Sequence, residues 1–245
     1  MRKIDNLAFS KVAVVLTMIC LLAASPAFSQ TDDKFDFTVT LNSDQFFGFY
    51  PYFTGSYSLN ETSAFTFYGI LWSGGTAGAW GNWTEFGVGM DFTVADGVNI
   101  NPSIGILNGT LLSSGAARSA GIFGEGVVPN IVVGLDKEKV EGEFYLGYYT
   151  PIRDEAPAGG STNAYLHYWA NFGVKASSFF SLGVHYEQLD LAGGSNVTTS
   201  TLYQWLGPYV QFSDPNGRAF ARFAGGGDLV EGNDSFFKLT TGFNF

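Results

Sequence analysis

The chain has 245 residues, 12 of them Lys or Arg and 22 Asp or Glu, for a formal net charge of −10. So few basic residues offer no patch to neutralise a phosphate backbone, which argues against a nucleic-acid partner. Aromatic residues at 17% and 32 glycines are high usage, and a single cysteine, Cys20, excludes a disulfide-stapled fold.

In chain order the first feature is an export signal. Arg2, Lys3 and Lys11 make a positive region, Val12 to Ala24 an apolar run, and Ala27-Phe28-Ser29 before Gln30 a small-x-small cleavage site. The run falls short of the ~20 residues a spanning helix needs and is followed by Ser25-Pro26. We therefore read residues 1–29 as a cleaved secretory signal peptide and 30–245 as one folded unit. Cleavage removes Cys20 and leaves a thiol-free, still more acidic chain.

After Ser29 no stretch approaches a spanning helix, so a membrane-spanning chain would cross with strands. Strand-like segments fall at 35–41, 46–58, 63–72, 82–94, 98–108, 121–135, 140–149, 163–174, 178–189, 201–212, 218–225 and 235–245. The connections 73–81, 109–120, 150–162, 190–200 and 226–234 are long and glycine-rich, whereas 59–62, 95–97, 136–139, 175–177 and 213–217 are short. This predicts an all-β, closed antiparallel transmembrane β-barrel of about twelve strands, with long loops at one end and tight turns at the other. The first connection, 42–45, is short for its side, so ten or fourteen strands also fit.

Register is tested at the turns, because a one-residue slip sends every side chain to the other face. Across 95–97, Val94 faces Val98, Phe92 faces Ile100, Met90 faces Pro102, Val88 faces Ile104 and Phe86 faces Ile106. Glu85, Asp91, Thr93, Asn99, Asn101 and Ser103 then share the opposite face. Across 175–177 the same reasoning pairs Phe172 with Phe180, Ala170 with Leu182, Tyr168 with Val184 and Leu166 with Tyr186. A soluble sandwich would alternate too, but with a more heavily charged polar face.

Any function belongs to the polar face, which becomes the lumen. Its expected ionisable lining is Glu85, Asp91, Glu141, Glu143, His167, His185, Glu187, Arg218, Arg222 and Lys238. Between these stand Trp83, Tyr145, Tyr149, Tyr165, Trp169, Tyr203, Trp205 and Tyr209. Arg218 and Arg222 near the periplasmic end, several strands away from Glu141 and Glu143 at the same depth, would set a transverse field that orders polar solutes. The bland reading is a hydrogen-bonded plug that satisfies buried charge. His167 is expected opposite His185, with Glu187 one inward position away. That patch suits a metal or a pH-sensitive gate, or else a neutral pair bonded to Glu187 and Tyr165. With no third histidine or a cysteine beside them, no metal is assigned.

The closing segment sets Phe237, Leu239, Thr241, Phe243 and Phe245 on one face and Phe236, Lys238, Thr240, Gly242 and Asn244 on the other. In this it resembles bacterial outer-membrane β-barrels, whose terminal strand is read by the barrel-assembly machinery. Size, acidic balance and the terminal Gly242-Phe-Asn-Phe245 are similar to twelve-stranded channels for small solutes, nucleoside channels included, or to an outer-membrane family without an assigned role. The resemblance implies a bacterial outer-membrane address, lipid against the apolar face, an assembly role for Phe243 and Phe245, and passive diffusion of small hydrophilic solutes such as sugars or nucleosides. It implies no cofactor and leaves the oligomeric state open. The alternative is a structural or surface-interaction protein with a plugged lumen, whose best loop is Thr150 to Thr162 with Arg153, Asp154 and Glu155. Outer-membrane barrels that hydrolyse lipids carry a serine, histidine and asparagine constellation. No such motif surrounds His167 or His185, so catalysis is not expected.

Overall fold

The computed structural model describes residues 34–72, 83–116 and 122–245. Twelve strands follow one another there: β1 (Phe35–Asp44), β2 (Gly48–Asn60), β3 (Ser63–Trp72), β4 (Trp83–Ala95), β5 (Val98–Gly109), β6 (Ile122–Asp136), β7 (Val140–Pro151), β8 (Thr162–Lys175), β9 (Phe180–Ser195), β10 (Ser200–Ser213), β11 (Ala219–Asp228) and β12 (Phe236–Asn244). Each pairs antiparallel with its chain neighbour, and β12 pairs with β1 from Thr38 opposite Asn244 to Asp44 opposite Lys238. The sheet therefore closes on itself and leaves no open edge, the condition for a strand protein to stand in hydrocarbon. The expected signal peptide at 1–29 and the connection 73–81 lie outside the described residues.

Alternation sorts the side chains as a two-faced barrel requires. On β4 and β5 the apolar set Phe86, Val88, Phe92, Ile104 and Ile106 points outward and is exposed, while Glu85 and Leu107 point inward and are wholly buried. On β8 and β9, Phe172, Val174, Leu182 and Val184 are each about half exposed, and His167, Asn171, His185 and Glu187 are buried. A continuous belt of exposed phenylalanine, leucine, isoleucine and valine is far more apolar surface than a water-soluble monomer carries. It has the character of a lipid-facing band.

At one end the connections are tight, spanning 61–62, 96–97, 137–139, 176–179 and 214–218. Lys137 pairs with Asp96 at 2.9 Å and Lys175 with Asp136, tying three of these turns together. Gly97 holds a left-handed φ of +62°, and a Cβ there would meet the Asp136 carbonyl oxygen at 2.1 Å, so this turn needs glycine twice over. At the other end the connections 110–121 and 152–161 are long, as expected. The expected loop 190–200 is cut to 196–199, because β9 runs on to Ser195 by pairing with Thr162 of β8, while its ladder with β10 ends at Leu191 opposite Ser200; Asn196 follows at φ 56°.

A close backbone approach adds a local constraint. A Cβ on Gly207 would lie 2.2 Å from the Gly225 carbonyl oxygen, and one on Gly226 would lie 2.2 Å from that of Leu206. Neither neighbour is a flexible side-chain end, so strands β10 and β11 would have to part. Gly207→Val should cost about 1–3 kcal/mol, read as a lower temperature for loss of the compact, fast-migrating form on a gel.

Candidate functional site

Inside the barrel lies a cavity of about 450 Å³. Its lining begins with Asp36 and Ser56 near the tight-turn end and stops at Tyr50, Trp72, Tyr149 and His167. The wall is mixed: Asp91 and Glu143 carry carboxylates, Arg222 and Lys238 cations, Asn101 and Asn130 amides. Between them Tyr145 and Trp169 stack with ring centroids 4.0 Å apart, and the Trp169 indole N–H donates to Glu143 Oε1 at 2.8 Å. That bond leaves a flat aromatic face fixed beside a carboxylate.

The other expected lining residues sit elsewhere. Arg218 lies exposed in the turn before β11 and does not line the cavity, its backbone N–H bonded to Asp214 and its carbonyl to Asn244. Arg222 is held between the rings of Tyr209 and Phe220, 5.1 and 5.8 Å from their centroids, and its Nε donates to Gln211 Oε1 at 2.8 Å. Gln211 and Tyr209 in turn donate to the Glu141 carboxylate, joined there by the Ser181 hydroxyl at 2.6 Å. Arg222 and Glu141 thus belong to one network joined through Gln211, and with Arg218 away from the cavity the expected transverse field from Arg218 and Arg222 to Glu141 gives way. Glu85 is wholly buried behind the wall, accepting from the Tyr68 hydroxyl at 2.7 Å and the Trp72 indole at 3.3 Å.

The histidine register also needs correction. His185 pairs with Asn171 and His167 with Leu189, so the two are not directly opposite. The reason is the turn: Ser177 caps Phe179 and Phe180 through its hydroxyl, β9 starts later than expected, and the ladder shifts by an even number of residues. An even shift keeps every side chain on its own face. Both imidazoles still reach Glu187, which is fully buried. His167 Nε2 lies 2.9 Å from Oε1 and His185 Nε2 3.2 Å from Oε2, while Lys238 Nζ donates to Oε2 at 2.5 Å. Tyr203, not Tyr165, supplies the phenol, donating to Glu187 Oε1 at 2.8 Å. His185 Nδ1 is fixed by Asn171 Oδ1 at 2.8 Å. Among the described residues no group of three or more His, Cys, Asp or Glu is disposed to hold a metal ion.

Above the cavity the lumen is filled by rings. Phe47, Tyr50, Trp72, Trp83, Tyr149 and Tyr203 are all buried in one cluster, which also takes in Tyr165 and Trp205. Its unexpected member is Phe47, from the short connection 45–47, which folds inward. The cause is local: Asp44 Oδ1 accepts the backbone N–H groups of Phe46 at 2.9 Å and Phe47 at 2.7 Å, and its Oδ2 accepts the Tyr50 hydroxyl at 3.1 Å. An Asx turn of this kind reverses the chain tightly. The Phe47 ring then lies 4.8 Å from that of Trp72 and 5.7 Å from His167. Higher still, the wholly buried Glu125 carboxylate accepts the N–H groups of Leu111 at 2.8 Å and Leu112 at 2.7 Å, drawing that connection over the rings.

These features define a class: a closed twelve-stranded antiparallel barrel with an apolar exterior, a polar lumenal cavity and an aromatic layer across the bore. The chain belongs to a family of unknown function, DUF6733, which matches residues 1–245. No curated protein sequence matches it. Among solved structures it is similar to the COG4313 outer membrane channel from Pseudomonas putida F1, with 11% identity and a TM-score of 0.51 over 86% of this chain and 95% of that one. It is also similar to the NanC porin, at 10% identity and a TM-score of 0.48 over 84% and 98% of the two chains. LpxR from Salmonella typhimurium matches at 11% identity and a TM-score of 0.43 over 85% and 99%. At such identities the likeness is one of fold.

Proposed function

We propose that the protein stands in the bacterial outer membrane and passes small hydrophilic solutes of sugar or nucleoside size through its lumen. The observation that carries this reading is the cavity of about 450 Å³ inside a barrel whose exterior is apolar. That size falls within the range of small-molecule sites, and such sites pair apolar faces with a few placed polar groups. Here Trp169 and Tyr145 supply faces for the flat side of a ring, while Asn101, Asn130 and Glu143 supply hydrogen-bonding groups for hydroxyls or ring nitrogens. The shared fold with an outer membrane channel supports the same reading.

Liposome swelling with sugars and nucleosides of graded size tests it. Wild-type vesicles should swell faster than protein-free ones, with a preference for ring-shaped solutes. A stacking contact of about 1.4 kcal/mol corresponds to roughly tenfold in affinity. Trp169→Ala should therefore weaken competition between solutes by about that factor. The aromatic layer favours the rival reading, a structural protein with a plugged lumen. No swelling with any solute, together with lost surface binding on shortening 152–161, would decide for the rival.

A further inference from the structure

We infer that the lumenal chamber selects its solutes by charge: it takes cationic amines of sugar or nucleoside size and turns anions away. The inference rests on the reading that the chamber admits small hydrophilic solutes, and it adds which of them. Three carboxylates line the cavity, Asp36, Asp91 and Glu143, against two fixed cations, Arg222 and Lys238. Three against two is nearly even, so the outcome depends on which charges the barrel itself already answers.

Both cations are answered. Lys238 Nζ lies 2.5 Å from Oε2 of Glu187, a wholly buried carboxylate that does not itself line the cavity, and the Lys238 side chain is only 11% exposed. His167 and His185, which also line the cavity, are turned onto the same carboxylate. Arg222 is held between Tyr209 and Phe220 and donates to Gln211, whose amide donates in turn to Glu141, so a carboxylate outside the cavity lining stands one side chain beyond the guanidinium. The three carboxylates have no such counterparts. Among the described residues no lysine, arginine or histidine comes within ion-pair distance of Asp36, Asp91 or Glu143. The charge left unanswered in the chamber is therefore negative, and between low-dielectric walls its field reaches across the bore. Carboxylates placed in this way favour cations in a pore.

The surroundings of Glu143 fit an amine on a ring-shaped solute. Its Oε1 accepts the Trp169 indole N–H at 2.8 Å, and an ionised carboxylate has room for further donors at Oε2. Glu143 stands opposite Gly134 in the β6–β7 ladder, and a Cβ there would meet nothing within 4 Å, so space is open beside the carboxylate. Tyr52, Tyr68, Tyr145 and Trp169 line the same cavity, and aromatic faces attract an organic cation through the ring quadrupole. The barrel already uses this attraction once, with Lys238 Nζ 5.4 Å from the centroid of the Trp169 ring. From β4, Asp91 adds a second carboxylate, its Oδ2 engaged by the Asn99 amide at 2.6 Å. Among the described residues no group of three or more His, Cys, Asp or Glu is disposed to hold a metal ion, whereas separate carboxylates among aromatic rings suit one ammonium group on a larger solute.

Calorimetric titration of the full-length, exported protein in a neutral detergent tests this with three ring-matched probes, glucosamine, glucose and glucuronate, at a pH where the amine is protonated. Each variant is first shown to be folded by heat-modifiable migration. Wild type should bind glucosamine at least about tenfold more tightly than glucose, a difference of about 1.4 kcal/mol, and glucuronate more weakly than glucose. Glu143→Gln keeps an oxygen for the Trp169 N–H and removes the charge, so it should abolish most of the glucosamine preference and leave glucose binding unchanged. Asp91→Asn should lower the preference from another strand without touching Trp169. Added salt should weaken glucosamine binding and not glucose binding. Equal binding of the three probes by wild type, binding of none of them, or an unchanged preference in both variants overturns the selectivity. Liposome swelling with the same sugars separates this from the channel reading. Vesicles that swell equally with all three keep the channel and overturn the selectivity, whereas preferential glucosamine binding without any swelling keeps the selectivity and removes the channel.

Discussion

Lys238→Met should destabilise the barrel by about 3–5 kcal/mol, the usual consequence of taking one partner from a buried ion pair. Glu187 has no exposure at all, and its nearest cation is Lys238 at 2.5 Å. A carboxylate taken out of water is stable only while its oxygens are paired and hydrogen-bonded. Here Oε1 keeps His167 and Tyr203 in the variant, but Oε2 loses its fixed positive charge. The ammonium also stands 5.4 Å from the centroid of the Trp169 ring, so its loss loosens the stacked pair that faces the cavity. Adding Glu187→Gln to Lys238→Met removes the orphaned charge and should recover much of the loss. The midpoint of urea unfolding from lipid vesicles is measured for wild type, Lys238→Met, Glu187→Gln and the double variant. Strictly additive single and double effects would show that the two side chains do not stabilise each other.

The barrel was legible because a wall one residue thick, between lipid and lumen, writes its two environments into alternate positions. Across the β4–β5 turn the expected partners Phe92 and Ile100, Val88 and Ile104, Phe86 and Ile106 are the observed ones, and only the bulge between Thr93 and Ala95 moves Val98 to a new neighbour. Across the β8–β9 turn the ladder differs, yet the inward set is unchanged, since parity alone fixes which face a residue takes. Absolute register depends on turn geometry, which Ser177 decides through hydrogen bonds that hydrophobic alternation does not encode. The inward fold of the β1–β2 connection into the aromatic layer was illegible for a similar reason. Phe46 and Phe47 fit the start of a greasy strand, and what places them inside is the pair of bonds to Asp44. An aspartate two and three residues before consecutive phenylalanines and a glycine was the available signal. Networks such as Arg222–Gln211–Glu141 join strands distant in the chain, and no local pattern announces them.

Replacing Phe243 with Asp, together with Phe245→Asp at the next position of the same alternation, should prevent the chain from accumulating as a closed barrel. β12 is the last strand to join the ladder and the one that closes it, and Phe243 sits opposite both Val39 of β1 and Ala219 of β11. Its side chain points outward and is about two-fifths exposed, in register with the exposed Phe237, while Phe236 and Lys238 point inward. A carboxylate there must either enter hydrocarbon unpaired or slip the strand by one residue, which would turn Lys238 and Asn244 toward lipid. Either outcome leaves the β1–β12 seam unmade and exposes backbone groups that lipid cannot satisfy. The control is Asn244→Ala, which changes a lumenal neighbour of Thr38 and keeps the outward face intact. Fractionation of membranes and heat-modifiable migration should show the double aspartate variant depleted and unfolded and the alanine variant like wild type. Normal insertion of the double aspartate variant would mean that this face does not meet lipid, and the channel reading would fall with it.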